Sequence, residues 1–229
     1  MISIIIPAYN EGEVIVGQLK DLFEVNKADQ CVVVDASDKE AFEAIRDEAS
    51  GVISGERLRY IAADTKGRGA QMNTGAANSE GSALLFLHAD TQLPDGALQQ
   101  IQEGINAGWH WGHFDVRFDQ PAWPFNMIAS MMNWRSRKTG IATGDQAMFV
   151  TRAAFDLVGG FDEFDLMEDI AMSKKLKTIG APLCLDMTVQ TAARRWQEKG
   201  VFRTVLLMWW LRLAYWLGVS PARLAQWYR

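Results

Sequence analysis

The sequence predicts an α/β fold built on a doubly wound, mostly parallel sheet. Three observations carry this. Short β-branched runs alternate with helix-period segments through the first half of the chain, the connections between them are short, and several apolar runs end in a polar cluster. The clusters are Tyr9-Asn10-Glu11, Asp35-Ala36-Ser37-Asp38 and His88-Ala89-Asp90. Open α/β sheets bind ligands beyond the carboxyl ends of their strands, so these clusters mark the expected site.

Taken in order, residues 2–6 are a strand stopped at Pro7, and 11–25 a helix with Val14, Leu19, Leu22 and Phe23 apolar. Residues 31–34 are a second strand, 39–49 a helix and 58–62 a third strand. After a glycine-flanked turn, 69–78 is a helix, 83–87 a fourth strand and 93–107 a helix with Pro94 near its start. The second half is less regular. Residues 109–118 alternate as a strand, and 123–138 read as a helix or a mobile loop. Residues 147–150 are a short strand, 152–158 and 168–179 helices, and 182–185 a strand. No repeat or low-complexity linker divides the 229 residues. The expected organisation is a domain over 1–193 with a basic, Trp-rich helical extension over 194–229 belonging to it.

Composition narrows the function. With 48% hydrophobic and 22% charged residues the chain is not of the disordered class, and a net charge of −5 argues against a nucleic-acid partner. The charge is uneven: residues 194–229 hold seven Lys or Arg and one Glu, +6, leaving −11 for the remainder. A basic tail on an acidic body suits a phosphate-bearing substrate or an anionic lipid. Cys31 and Cys184 sit in strand-like runs and read as small buried hydrophobes, without metal or disulfide spacing, which fits a reducing cytoplasm. No secretory-signal pattern precedes the first strand, and the longest charge-free piece of the C-terminal stretch, 213–222, has ten residues where a span needs about 20.

Four segments could carry chemistry. Asp90, held directly after a buried strand, can ligate Mg²⁺ or Mn²⁺ on a phosphate, and His88 points to the same face; capping of the next turn is the competing role. Glu168 and Asp169 stand at a helix start, where carboxylates are favoured by the free N–H groups; alternatively Asp169 takes a proton from a hydroxyl. The segment from Gly67 to Asn73 lets the backbone approach a ligand while Arg68 pairs with a diphosphate, although neither GxxxxGK[ST] nor GxGxxG is present. Arg194-Arg195-Trp196 suits a pyrophosphate leaving group, or is a solvated basic turn.

In order along the chain, SIIIPAYNE, VVVDASD, GRGAQMNTGA, LLFLHADT, VGGFDE and MEDIAMSKKLKTIG resemble glycosyltransferase family 2 with the GT-A, nucleotide-diphospho-sugar transferase fold, over roughly the first 195 residues. The likeness is closest to small bacterial members in which HADT and RRW occur together. It implies transfer of a sugar from a UDP-, GDP- or dTDP-linked donor to an acceptor hydroxyl. Pro7, Tyr9 and Glu11 would lie by the base and ribose, and Asp35 would bind the base or ribose. Arg68 would bind the base or diphosphate, with Asn73 in the same pocket. Asp90 would hold Mn²⁺ or Mg²⁺. Asp169, beside Glu168, would be the base of an inverting single displacement, and Arg195 and Trp196 would lie near the phosphates or acceptor.

Two departures stand out. The family's Asp-x-Asp is here His88-Ala89-Asp90, which makes His88 a candidate second ligand, and VVVDASD lacks the second Asp and the Gly of its counterpart. Absence of QxxRW argues against a processive membrane synthase. A sugar-phosphate nucleotidyltransferase and a non-catalytic nucleotide-sugar-binding or membrane-docking module are the alternative functions. In the C-terminal segment Trp209, Trp210, Tyr215 and Trp216 lie among Leu and Val, and Arg203 and Arg212 fall on opposite helix faces, so a clean amphipathic surface helix is not expected. Packing on the domain or on a second subunit, as in a homodimer, competes with an interfacial helix that brings the enzyme to a lipid-linked acceptor at the inner face of the plasma membrane.

Overall fold

The computed structural model describes residues 1–53, 55–164, 166–194 and 200–228. Strand β1 (Ile2–Ala8) leads to helix α1 (Glu13–Glu24), β2 (Gln30–Asp35), α2 (Lys39–Val52), β3 (Leu58–Ala62), α3 (Arg68–Ala77) and β4 (Ala83–Phe86). Then follow β5 (Thr91–Gln92), α4 (Ala97–Asn106), β6 (Trp111–Phe118), α5 (Trp123–Thr139), a short 3₁₀ turn (Gly144–Gln146), β7 (Met148–Thr151), α6 (Arg152–Leu157), α7 (Glu168–Leu176) and β8 (Leu183–Thr191). Two helices, α8 (Val201–Trp216) and α9 (Pro221–Tyr228), end the described chain.

The eight strands form one sheet in the order β3-β2-β1-β4-β7-β6-β8-β5. Strands β1 to β4 are mutually parallel, β7 runs against both β4 and β6, and β8 is parallel to β6. The chain leaves β1 for β2 and β3 on one side and returns to β4 on the other, so the crevice where strand order reverses lies between β1 and β4. Ile4, Ile5, Ile6, Val32, Val33, Val34, Leu84 and Leu85 are wholly buried, because helices cover both faces of the sheet. On one face α3 comes so close that a Cβ on Gly75 would stand 2.4 Å from the Ile5 methyl.

The structure decides between two expected forms of one segment and adds to the expected strands in two places. Residues 123–138 are a helix, opened by Pro124 in its first turn and closed at Gly140 in the left-handed conformation (φ 65°). The last strand runs on to Thr191, with Leu185, Val189 and Thr191 buried on alternate positions against β6. A two-residue strand, β5, pairs with its far end. Cys31 is buried, whereas Cys184 is only partly so and lies 3.4 Å from His113 Nε2.

Helices α8 and α9 pack Leu211, Ala214 and Leu224 against Met167 and Ile170. The opposite face of α8 presents Leu206, Trp209, Trp210, Leu213, Trp216 and Leu217 to solvent. That outward stripe, at helical spacing, is cleaner than the sequence suggests, because Arg212 turns inward and only Arg203 shares the exposed side. Among the described residues no helix is long and apolar enough to cross a membrane.

Candidate active site

A cleft of about 540 Å³ opens at the carboxyl ends of β1 and β4. Its walls bring together Pro7, Tyr9 and Glu11 after β1, Arg68 at the start of α3, His88 and Asp90 after β4, and Glu168 at the start of α7. Helices α8 and α9 close one side with Thr204, Met208 and Tyr228.

Two buried glutamines set this geometry. Gln18 of α1 donates to the carbonyls of His88 (2.6 Å) and Thr91 (2.7 Å), clamping the turn that carries Asp90. Gln71 of α3 donates to Ala8 O and Val34 O, both at 2.8 Å, tying the Arg68 helix to the ends of β1 and β2. Neither strand end could shift without leaving a buried amide unpaired.

At the Asp90 turn, Thr91 N–H donates to His88 O (3.1 Å). Among the described residues the carboxylate itself receives only a long contact from Thr91 Oγ1, 3.4 Å, and no backbone N–H, so it does not act as a turn cap. Glu11 lies in the same wall, and its pKa is raised by burial and then by the charge of Asp90; Arg194, 3.6 Å from Glu11 Oε2, opposes this. That Oε2 atom is buried without a hydrogen bond. Two carboxylates in mutual repulsion, one with an oxygen that receives no hydrogen bond, fit a hard divalent cation. Among the described residues no set of three or more His, Cys, Asp or Glu side chains is gathered for a metal.

His88 is held by a residue the sequence reading passed over. Its Nδ1 stands 3.3 Å from Asp145 Oδ1, in the 3₁₀ turn before β7. Gly144 makes room: a Cβ there would sit 2.3 Å from His88 Nε2. Gly144→Ala is therefore expected to displace the imidazole from Asp145, read as a change in the His88 ring resonances by NMR, with the fold retained by circular dichroism. Lys66 was also missed; it lines the cleft with its Nζ 3.3 Å from the centroid of the Tyr9 ring.

The acidic pair at α7 divides. Glu168 is buried and lines the cleft; burial raises its pKa, as does Asp169, against the opposing charge of Arg68. Enclosure works against the charge of Arg68, but Glu168 and then Asp145 outweigh it and its pKa is raised. Asp169 is not among the residues lining the cleft but lies next to Glu168, accepting from Gly144 N–H (3.0 Å, Oδ2) and Ile170 N–H (2.7 Å, Oδ1). Preceding them, Met167 adopts the left-handed conformation (φ 72°), an arrangement costing about 1–2 kcal/mol in a non-glycine residue and held here by burial against α8 and α9.

Asp35 and Asn73 do not line the cleft. The Asp35 carboxylate is buried and accepts from Ser37 N–H (2.8 Å) and Tyr60 O–H (2.8 Å), bracing the loops after β1 and β2. Asn73 exchanges two hydrogen bonds of 2.9 Å with the Phe161 backbone. Arg195 and Trp196 lie outside the described residues.

The sequence profile of glycosyl transferase family 2 matches residues 3–156. No curated protein sequence matches the chain. Among solved structures, TarS 1–349 of S. aureus is 18% identical with a TM-score of 0.64, over 84% of this chain and 60% of that one. The same fragment in complex with UDP-GlcNAc gives 19% and 0.64, over 83% and 58%. Mannosyltransferase PcManGT of Pyrobaculum calidifontis, in complex with GDP-Man and Mn²⁺, is 20% identical with a TM-score of 0.68, over 98% of this chain and 68% of that one. The chain thus spans about three fifths of the TarS fragment.

Proposed function

The chain belongs to glycosyl transferase family 2 and has the GT-A fold, and from that premise we propose that it moves a sugar from a nucleotide-diphosphate donor to an acceptor hydroxyl, with inversion. The observation that carries this reading is the meeting of Asp90, Arg68 and Glu168, from three distant stretches of chain, in one cleft at the point where strand order reverses. Pro7, Tyr9 and Glu11 border the nucleoside end. Asp90 and His88 would hold Mn²⁺ or Mg²⁺, which supplies positive charge to the diphosphate as it leaves. Arg68, in the same cleft, stabilises the same developing charge.

Asp169 accepts the proton of the acceptor hydroxyl as that oxygen bonds the anomeric carbon. The bond from this carbon to the diphosphate oxygen breaks and its electron pair departs with the nucleoside diphosphate. A thermal-shift panel of UDP-, GDP- and dTDP-sugars with and without Mn²⁺ tests the donor assignment. One nucleotide family at 100 times its Kd should raise the melting temperature by roughly 5–10 °C, more with Mn²⁺ than without. A flat response across the panel sinks the assignment.

The exposed stripe of α8 supports a peripheral contact with anionic lipid at the cytoplasmic membrane face, because six large apolar residues there accompany the basic 194–229 segment. The chain should co-sediment with vesicles containing phosphatidylglycerol, and Trp209→Ser/Trp216→Ser should release it. Retention of the double variant on vesicles, or a concentration-dependent dimer abolished by it, excludes the lipid reading.

A further inference from the structure

Behind Asp145 and Asp169 stand two arginines that the donor site does not use, Arg135 of α5 and Arg212 of α8. Nε and one terminal nitrogen of Arg135, and Nε of Arg212, are buried with no hydrogen-bond partner. Among the described residues neither guanidinium closes a salt bridge. Both lie within electrostatic reach of Asp145 and Asp169, and the charge of Arg212 acts on Arg135. Burial lowers the pKa of Arg135 to about 10, with Arg212 adding to the effect, and burial also lowers that of Arg212. Two like charges with orphaned donors are an unfavourable arrangement for a structural role, since a guanidinium presents five N–H groups that call for acceptors.

Position gives the pair its meaning. Thr204, Met208 and Arg212 are successive i, i+4 residues of α8, and the first two line the donor cleft. Arg212 therefore lies one turn beyond the two cleft-lining residues on the same side of α8, within electrostatic reach of Asp169. On α5, Arg135 follows Trp134, which is exposed in a row with Trp123, Met127 and Met131. Both arginines act electrostatically on Asp169, and the helices that carry them each present an outward apolar row.

We infer that Arg135 and Arg212 form an acceptor subsite for a phosphate group, so that the acceptor is a phosphate-bearing molecule anchored there with its hydroxyl toward Asp169. Two guanidiniums supply the buried fork donors that match phosphate oxygens, and an anion between them removes their mutual repulsion. The inference rests on the glycosyl-transfer reading for the role of Asp169, but its test does not use the donor.

Wild type, Arg68→Ala, Arg135→Gln, Arg212→Gln and the double Gln variant are compared with two phosphomonoester probes. These are sn-glycerol 3-phosphate, by calorimetry, and phosphatidylcholine vesicles containing phosphatidic acid, by sedimentation. The double variant should weaken binding by about tenfold or more while Arg68→Ala leaves it unchanged. A loss in both arms identifies a free phosphomonoester as sufficient, and a loss confined to vesicles identifies a lipid headgroup. Either Gln variant should also melt at or above the wild-type temperature, because an unpaired buried charge has gone; a structural arginine would give the opposite. If the double variant fails to fold, the single variants carry the comparison. Wild-type affinity for both probes in the variants, or loss only in Arg68→Ala, overturns the subsite. A silent donor panel with Arg-dependent phosphate binding would instead overturn the donor assignment alone.

Discussion

Asp169→Asn should lower transfer by about 10²–10⁴-fold while donor binding stays within twofold of wild type. An amide cannot take the acceptor proton, and Asp169 is not among the residues lining the donor cleft. The exchange is nearly isosteric, but it is not silent in the fold. The carboxylate accepts from two backbone N–H groups, of Gly144 and Ile170, and an amide offers one oxygen, so one N–H loses its partner at about 1–3 kcal/mol. Circular dichroism and donor thermal shift separate this loosening from loss of chemistry. Glu168→Gln is the necessary contrast. The Glu168 carboxyl titrates above its ordinary 4.5 because burial and then Asp169 disfavour its charge. Folded protein then binds more protons than unfolded between 4.5 and the raised value, so stability falls as pH rises through that window. Gln removes the loss, and the variant should melt above wild type at neutral pH and alike below 4.5. Full transfer in Asp169→Asn together with none in Glu168→Gln would move the base to Glu168.

Parts of this geometry were legible in the sequence for a physical reason. Strands β1, β2 and β4 are covered on both faces, so burial leaves continuous apolar runs, and the residue that ends such a run, as Asp35 ends β2, is placed at the sheet edge by the strand itself. Asp38 and Thr151 likewise cap α2 and α6 through local hydrogen bonds to Ala41 and Ala154 N–H. Strand β5 is two residues long and owes its existence to β8, 100 positions away, so no local pattern could announce it. The alternation of Leu185, Met187, Val189 and Thr191 with the exposed Asp186 and Thr188 was a strand signal past residue 185 that the apolar run alone did not carry. Chemistry followed the same division. Asp90, Arg68 and Glu168 are readable because they sit at element ends. Asp145 gains its role only by meeting His88, and Arg135 and Arg212 only by meeting each other. The Gly144-Asp145-Gln146 turn, with a glycine before an acid ahead of a strand, was the one local sign of the first. Asp35 and Asn73 show the reverse: polar residues in suggestive motifs whose hydrogen bonds are spent on the scaffold.

Asp90→Ala should abolish the Mn²⁺-dependent part of the donor thermal shift and lower transfer by about 10³-fold, the scale of several kcal/mol of charge stabilisation at the leaving group. The argument turns on what Asp90 does when no ligand is bound. Its carboxylate receives one long contact and lies in repulsion with Glu11, whose raised pKa reflects burial first and Asp90 second. A residue serving the fold would lower the melting temperature when removed. A residue held for a cation should do the opposite in the absence of ligand, because Glu11 loses an adverse charge. The sign with pH follows: Glu11 destabilises the fold as pH rises from its ordinary value through the raised one, and Asp90→Ala narrows that window. Asp90→Ala is therefore expected to melt at or above wild type without ligand and below it with donor and Mn²⁺. The crossing of the two curves is the signature, since loss of a turn cap gives a uniform decrease. A variant that melts lower throughout and keeps its Mn²⁺-dependent shift would show that Asp90 shapes the turn and that the cation, if held, is held by other groups of the cleft.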